Sequence, residues 1–156
     1  MTAASHALIG TMIALKVTNP WLAIGLSFAS HFAADLVPHW DIGTHRREKT
    51  RPELQKEAVI DVLVGFILSF LLYIFLFRQD TAFVPGSYLF VFLCIIAAQA
   101  PDWLMAPKII LGVNFPGSEL MYQIQHRLNT KLDKPWGIVT QVAALILLYL
   151  ILFVIF

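Results

Sequence analysis

His31 and Asp35 stand four residues apart in Ser30-His-Phe-Ala-Ala-Asp35, the separation that stacks two side chains on one face of an α-helix. An imidazole nitrogen and a carboxylate oxygen so placed can share one divalent ion, zinc first, or manganese or iron with a different geometry. The same spacing also suits a structural hydrogen bond that ties helices together. Groups of the same two types recur along the chain as His6, His39, Asp41, Asp61, Asp102 and His126, the last followed by Arg127. Each has a plainer reading too. His39 sits beside Trp40 and can be an interfacial residue, Asp41 a turn or cap, Asp61 half of a salt bridge, Asp102 the polar end of a helix hairpin, and His126-Arg127 an interfacial pair. His45 and Glu57 read as solvated charges, although Glu57 precedes Asp61 by one helical turn and can share its interhelical space.

Imidazoles and carboxylates around one or two divalent ions suit metal-assisted hydrolysis, in which a bound water is acidified and a phosphoryl or carbonyl oxygen polarised. In that chemistry His6, His31, Asp35, His39, Asp102 and His126 are candidate metal ligands, and Asp61 is a ligand or general base. Arg127, whose planar fork matches phosphate oxygens, is a candidate anion contact. No Gly-x-Ser-x-Gly elbow, Walker loop or His-Glu-x-x-His helix supplies a better-formed alternative. Cys94, the single cysteine, lies in an apolar run and reads as a small packed side chain.

The elements that must carry these groups are apolar. Of 156 residues, 58% are hydrophobic and 13% charged, where an ordinary soluble domain is about a quarter charged. The reading is an all-α, polytopic membrane protein, one integral domain over 1–156, with about five transmembrane or membrane-embedded helices plus a short interfacial helix. A first short helix over Ala7–Leu15 and a second over Trp21–Val37 form a hairpin, with Asn19-Pro20 as cap and first turn and Pro38 as the stop. Thr50-Arg-Pro-Glu53 reads as a capping box that opens a third helix, apolar from Ala58 to Phe77, with Arg78-Gln79-Asp80 at its far interface. A fourth helix is expected over Ser87–Ala100, ending at Pro101, and a surface helix capped by Ser118 runs to Arg127. The last span covers Trp136–Phe156.

Basic residues concentrate in 38–56 and 101–135, with Arg46, Arg47 and Lys49 in the first and Arg127, Lys131 and Lys134 in the second. Such residues favour cytoplasmic loops, so the chain is oriented with its N-terminus cytoplasmic and its C-terminus opposite. The polar candidates then gather at the cytoplasmic end. A formal net charge of only +1 argues against nucleic acid as the primary partner. The expected partners are the bilayer and a lipid or phosphoester substrate; oligomeric state is left open.

His6, Ser30-His-Phe-Ala-Ala-Asp35 before Pro38, Pro101-Asp102 and His126-Arg127 resemble the elements of the membrane-bound, metal-dependent hydrolase family that includes a LexA-regulated inner-membrane protein. The resemblance implies an inner-membrane hydrolase whose metal ligands are His6, His31, Asp35, Asp102 and His126. In the chain, the Ser-His element precedes the Pro-Asp and His-Arg elements, the reverse of the family's usual order, and no second His follows His126-Arg127. Two other readings stand beside this one: a divalent-metal or proton-coupled transporter, and a non-catalytic membrane protein in which the polar cluster ties helices together.

Overall fold

The computed structural model describes residues 1–77, 88–114 and 116–155. Six α-helices are described: α1 (Ala3–Lys16), α2 (Pro20–Asp35), α3 (Arg51–Phe77), α4 (Tyr88–Ala106), α5 (Ser118–Leu128) and α6 (Trp136–Leu150). Short 3-10 and π-helical turns supplement them, and there is no β-strand among the described residues. The expected interface marker Arg78-Gln79-Asp80 and the expected helix start at Ser87 lie outside the described residues.

Local sequence explains most of the helix starts. Thr2 accepts a hydrogen bond from the Ser5 amide, so α1 begins four residues before the expected Ala7. Asn19 caps α2 through Leu22 N at 3.1 Å, with Pro20 in its first turn. Glu53 accepts from both the amide and the hydroxyl of Thr50, at 2.7 and 2.8 Å, and so fixes the start of α3. α2 stops at Asp35 rather than Val37, since Pro38 disfavours helical backbone before it and the Asp35 carbonyl accepts from Thr130 N.

Two expectations need correction. Pro101 lies inside α4, which continues to Ala106 and then a π-helical turn over Pro107–Leu111. A proline in such a helix is tolerated where neighbouring groups satisfy the disturbed backbone, and His31 Nδ1 donates to the nearby Ala98 carbonyl at 2.8 Å. Asp102 is therefore a helical residue rather than the start of a loop. Ser118 is likewise not the cap of α5 but its first helical residue; Gly117, in the left-handed region at φ 92°, precedes it.

α1 is the central helix and packs against α2, α3, α4 and α6. Apolar or small on nearly all sides, it has no face to give to solvent. Its approach to α4 is set by Gly10, where a Cβ would lie 2.7 Å from the Cys94 carbonyl oxygen. Gly65 plays the same part on α3, where a Cβ would come within 3.0 Å of Ala4 Cα. Ala7, Ala14, Tyr73, Val91, Cys94 and Ile95 are among the residues that complete the core around α1.

The outside of the bundle is apolar as well: Val59, Leu63, Ile67 and Leu71 of α3 and Ile146 and Leu147 of α6 are exposed. Exposed apolar surface on this scale marks contact with lipid. Three helical stretches, Arg51–Leu76, Tyr88–Ile109 and Trp136–Ile155, are long and apolar enough to cross a bilayer. The chain is thus a helical membrane protein. α1 and α2, at 14 and 16 residues, are shorter than the roughly 20 residues of a full span.

The two basic segments meet at one end of the bundle. His39 pairs in parallel with Lys131, with His39 N donating to Thr130 O at 3.0 Å and Leu132 N to His39 O at 2.7 Å. Trp40 N donates to Gly137 O at the start of α6. His45 joins Asp133 at 2.7 Å and Asp41 joins Lys131 at 3.1 Å. This clasp fixes the residues just beyond α2 against those just before α6.

Candidate metal centre

The helix ends at the clasp bring four polar side chains into one buried cluster. α2 presents His31 and Asp35 from adjacent turns, α1 places the His6 ring on that of His31 with centroids 3.8 Å apart, and α4 contributes Asp102. The His6 and His31 Nε2 atoms lie 3.3 and 3.4 Å from Asp35 carboxylate oxygens, and His31 Nε2 lies 3.5 Å from Asp102 Oδ1. His39, delivered by the chain turn after Pro38, adds its Nε2 at 3.6 Å from Asp35 Oδ1. His6, His31, His39 and Asp35 are all buried, whereas the Asp102 side chain keeps about a third of its surface exposed.

Hydrogen bonds at the far side of the rings fix what the near side offers. A carbonyl oxygen can only accept, so His31 Nδ1 carries the hydrogen it gives to Ala98 O. His39 Nδ1 carries the one it gives to Val37 O at 2.6 Å. In the neutral imidazole each Nε2 then holds a lone pair, the arrangement by which backbone carbonyls orient ligating histidines. Neither nitrogen of His6, nor His39 Nε2, has a hydrogen-bond partner among the described residues. His6, His31 and Asp102 each offer a ligand atom within 4.8 Å of the other two. Ligands at about 2.0–2.1 Å from a tetrahedral ion stand about 3.3 Å apart; the pair contacts of 3.3, 3.4 and 3.5 Å match that size, while the His6, His31 and Asp102 set, bounded only at 4.8 Å, would have to draw together around an ion.

The remaining predicted residues fall in different places. Asp61 accepts from the Ala3 and Ala4 amides at 2.8 and 3.1 Å, holding the first turn of α1 on α3 while lining the adjoining cavity. Negative charge at a helix N-terminus is favourable there. His126 does not join the cluster: it is exposed on α5 and stacks on Tyr122. Arg127 is also exposed and does not line the cavity. Glu57 is drawn away from Asp61 by Lys49, at 2.6 Å, and His45, expected free in solvent, is half-exposed and paired with Asp133 and Glu48.

Gln125 takes the position on α5 that the sequence offered to His126. Its Nε2 is 3.2 Å from His31 Nε2, and its Oε1 is buried with no hydrogen-bond partner. The other unforeseen group is the Met1 ammonium, ion-paired with Asp35 Oδ1. Asp41 is buried beside His39. Burial by itself would raise its carboxyl, but a proton on His39 Nε2 and the Lys131 ammonium hold it well below the usual carboxylate range.

A cavity of about 600 Å³ opens on the exposed side of Asp102. One wall is apolar, from Leu54, Ala58 and Val62 of α3, Met105 and Ala106 of α4 and Ile109 of the π-helical turn that follows it. His45, Arg46, Arg47, His126 and Lys131 also line the cavity, with the acidic Asp41 and Glu48 among them. Such a chamber can admit a molecule with an anionic head and an apolar body beside a set of imidazole and carboxylate donors. Compared with known protein families, curated proteins and solved structures, the chain matches none.

Proposed function

We propose that the chain is a membrane-embedded, metal-dependent hydrolase acting on a phosphoester or lipid-like substrate. The observation that carries this reading is the buried convergence of the Nε2 atoms of His6, His31 and His39 on the Asp35 carboxylate, at 3.3, 3.4 and 3.6 Å. Gln125 Nε2 donates to His31 Nε2, and His39 Nε2 has no partner among the described residues; imidazole nitrogens gathered on a buried carboxylate are stabilised by a proton or a cation between them. His6, His31, Asp35 and Asp102 would hold the ion, and a nitrogen and oxygen donor set without thiolate suits zinc, manganese or iron. A divalent ion there supplies Lewis-acid polarisation and water activation.

The chain's own groups do the rest. Asp102, at the mouth of the cluster, faces the incoming substrate, and the Arg46, Arg47 and Lys131 rim orients its anionic group. Asp61, held by two backbone amides, stands at the cavity wall as a fixed proton acceptor. The apolar wall between α3 and α4 accommodates the body of the substrate and excludes water. In this reading all five long helices are embedded in a cell inner membrane, with the cluster and the basic segments on the cytoplasmic side, the N-terminus cytoplasmic and the C-terminus opposite.

One observation favours a second, structural reading: the Met1 ammonium on Asp35 and the α1 amides on Asp61 tie three helices together without any ion. Elemental analysis of detergent-purified protein separates the two. The hydrolase reading expects stoichiometric zinc, manganese or iron that is lost in a His31→Ala, Asp35→Ala double variant, together with phosphoesterase activity. Folded wild type that takes up no metal on reconstitution would leave the helix-tying reading in its place.

A further inference from the structure

His39 and Asp41 form a group of their own beside the cluster. His39 is fully buried; its Nδ1 is committed to Val37 O, and its Nε2 is unpartnered between Asp35 Oδ1 at 3.6 Å and Asp41 Oδ2 at 3.8 Å. A buried imidazole nitrogen between two carboxylates is stabilised either by a proton on it or by a cation bound among the three groups.

The carboxylates are also oriented from outside. Asp41 Oδ1 accepts from Lys131 Nζ and from the Thr44 hydroxyl, both at 3.1 Å, and Asn129 Nδ2 reaches Oδ2 at 3.3 Å, leaving the rest of Oδ2 toward His39. Asp35 divides its oxygens: Oδ2 faces His31, while Oδ1 faces His39, with His6 and the Met1 ammonium also at Oδ1. A carboxylate whose two oxygens face different imidazoles can bridge two ions, a second ion at Oδ1 taking the place of the Met1 ammonium. The contacts of 3.6 and 3.8 Å are somewhat wider than the about 3.3 Å between ligands on one tetrahedral ion, so a small inward movement of His39 closes them.

We infer that Asp35, His39 and Asp41 form a second divalent-cation position, bridged through Asp35 to the ion held by His6, His31 and Asp102. The inference rests on the hydrolase reading for its first ion.

The test is metal content of the full chain in detergent after reconstitution with Mn2+ and desalting, on wild type and on the His39→Ala and Asp41→Asn variants. The expected result is about two equivalents for wild type and about one for each variant. Manganese titrated into wild type, followed by electron paramagnetic resonance, gives an exchange-coupled pair signal as the second equivalent binds, and this readout does not depend on a variant folding. One equivalent in wild type with no coupled signal overturns the second position and leaves the hydrolase reading intact. No bound metal in folded wild type overturns both.

Discussion

Replacing Gly10 by alanine tests whether α1 is seated where the cluster needs it. The new Cβ would stand 2.7 Å from the Cys94 carbonyl oxygen and 3.0 Å from Ala98 Cβ, against 3.4 Å or more in ordinary contact. Relief requires α1 to withdraw from α4 by about 0.7 Å, the gap between 3.4 and 2.7 Å, because a helical carbonyl cannot retract as a flexible side chain does. Overpacking of this kind costs about 1–3 kcal/mol, and a backbone obstacle puts Gly10 at about the upper end. Alanine returns roughly 0.5–1 kcal/mol through its better helix propensity. Gly25→Ala isolates that gain, since Gly25 also lies within a helix but a Cβ there has nothing within 4 Å. Propensity cancels between the two variants, which leaves a difference of about 3 kcal/mol. For a chain of this size that corresponds to roughly 6–12 °C in midpoint. Thermal unfolding of both variants in the same detergent measures it, with Gly25→Ala expected above wild type and Gly10→Ala below. Midpoints that agree within about 2 °C would refute the close α1–α4 approach.

Two further perturbations address the ends of the bundle. Asp61→Ala removes the acceptor of the Ala3 and Ala4 amides and is expected to cost about 1–2 kcal/mol, while Asp61→Asn, which keeps one acceptor oxygen, costs less; equal unfolding midpoints for all three proteins would show that the contact does not hold α1. His45 tethers the basic segment to Asp133, and the Asp133 and Glu48 carboxylates raise its pKa above 6.5 while His45 lowers that of Asp133 below 3.8. A raised histidine contributes fully below its unfolded value and loses that contribution as pH rises through its folded value; a lowered carboxylate contributes above its unfolded value and loses it as pH falls. The tether is therefore strongest between pH 3.8 and 6.5. Tryptic cleavage after Arg46, taken relative to His45→Ala to remove the protease's own pH response, should be slow near about pH 6 and approach the variant's rate as pH rises past the folded histidine value; a ratio that stays constant with pH would rule the tether out.

Much of the fold was legible because its signals are local. Asn19-Pro20 and Thr50 to Glu53 act within one turn, and the apolar runs of α3 and α6 declare themselves by length. The stop expected at Pro101 failed for a reason that local rules do not contain. The disturbance a proline causes depends on what neighbouring helices offer to the backbone, and here His31, from another helix, donates to Ala98. The early start of α1 has a local signal in the Thr2 cap and a distant one in Asp61, far along the chain, which accepts from its first two amides.

The site shows the same division. His31 and Asp35 could be paired from sequence since their four-residue spacing depends on helix geometry alone, and they do share a face. The choice of His126 over Gln125 went by chemical type, where helix phase decides. Adjacent helical residues point about 100° apart, and the partly or fully buried positions Ser118, Met121, Tyr122 and Gln125 follow the i, i+3, i+4, i+7 pattern of an inward face. That pattern is one of burial rather than of apolar type, since Leu120 is exposed, and it places Gln125 at the cluster side and His126 at the cavity. What no spacing conveys is the approach of separate helices. His6 stacks on His31, whose ring α4 holds through Ala98, while Gly10 lets α1 lie against α4, and Asp61 reaches the α1 amides where Gly65 lets α1 lie against α3. The cluster is thus a consequence of α1 docking, and loss of either glycine contact should weaken the metal-ligand set and the stability of the bundle together.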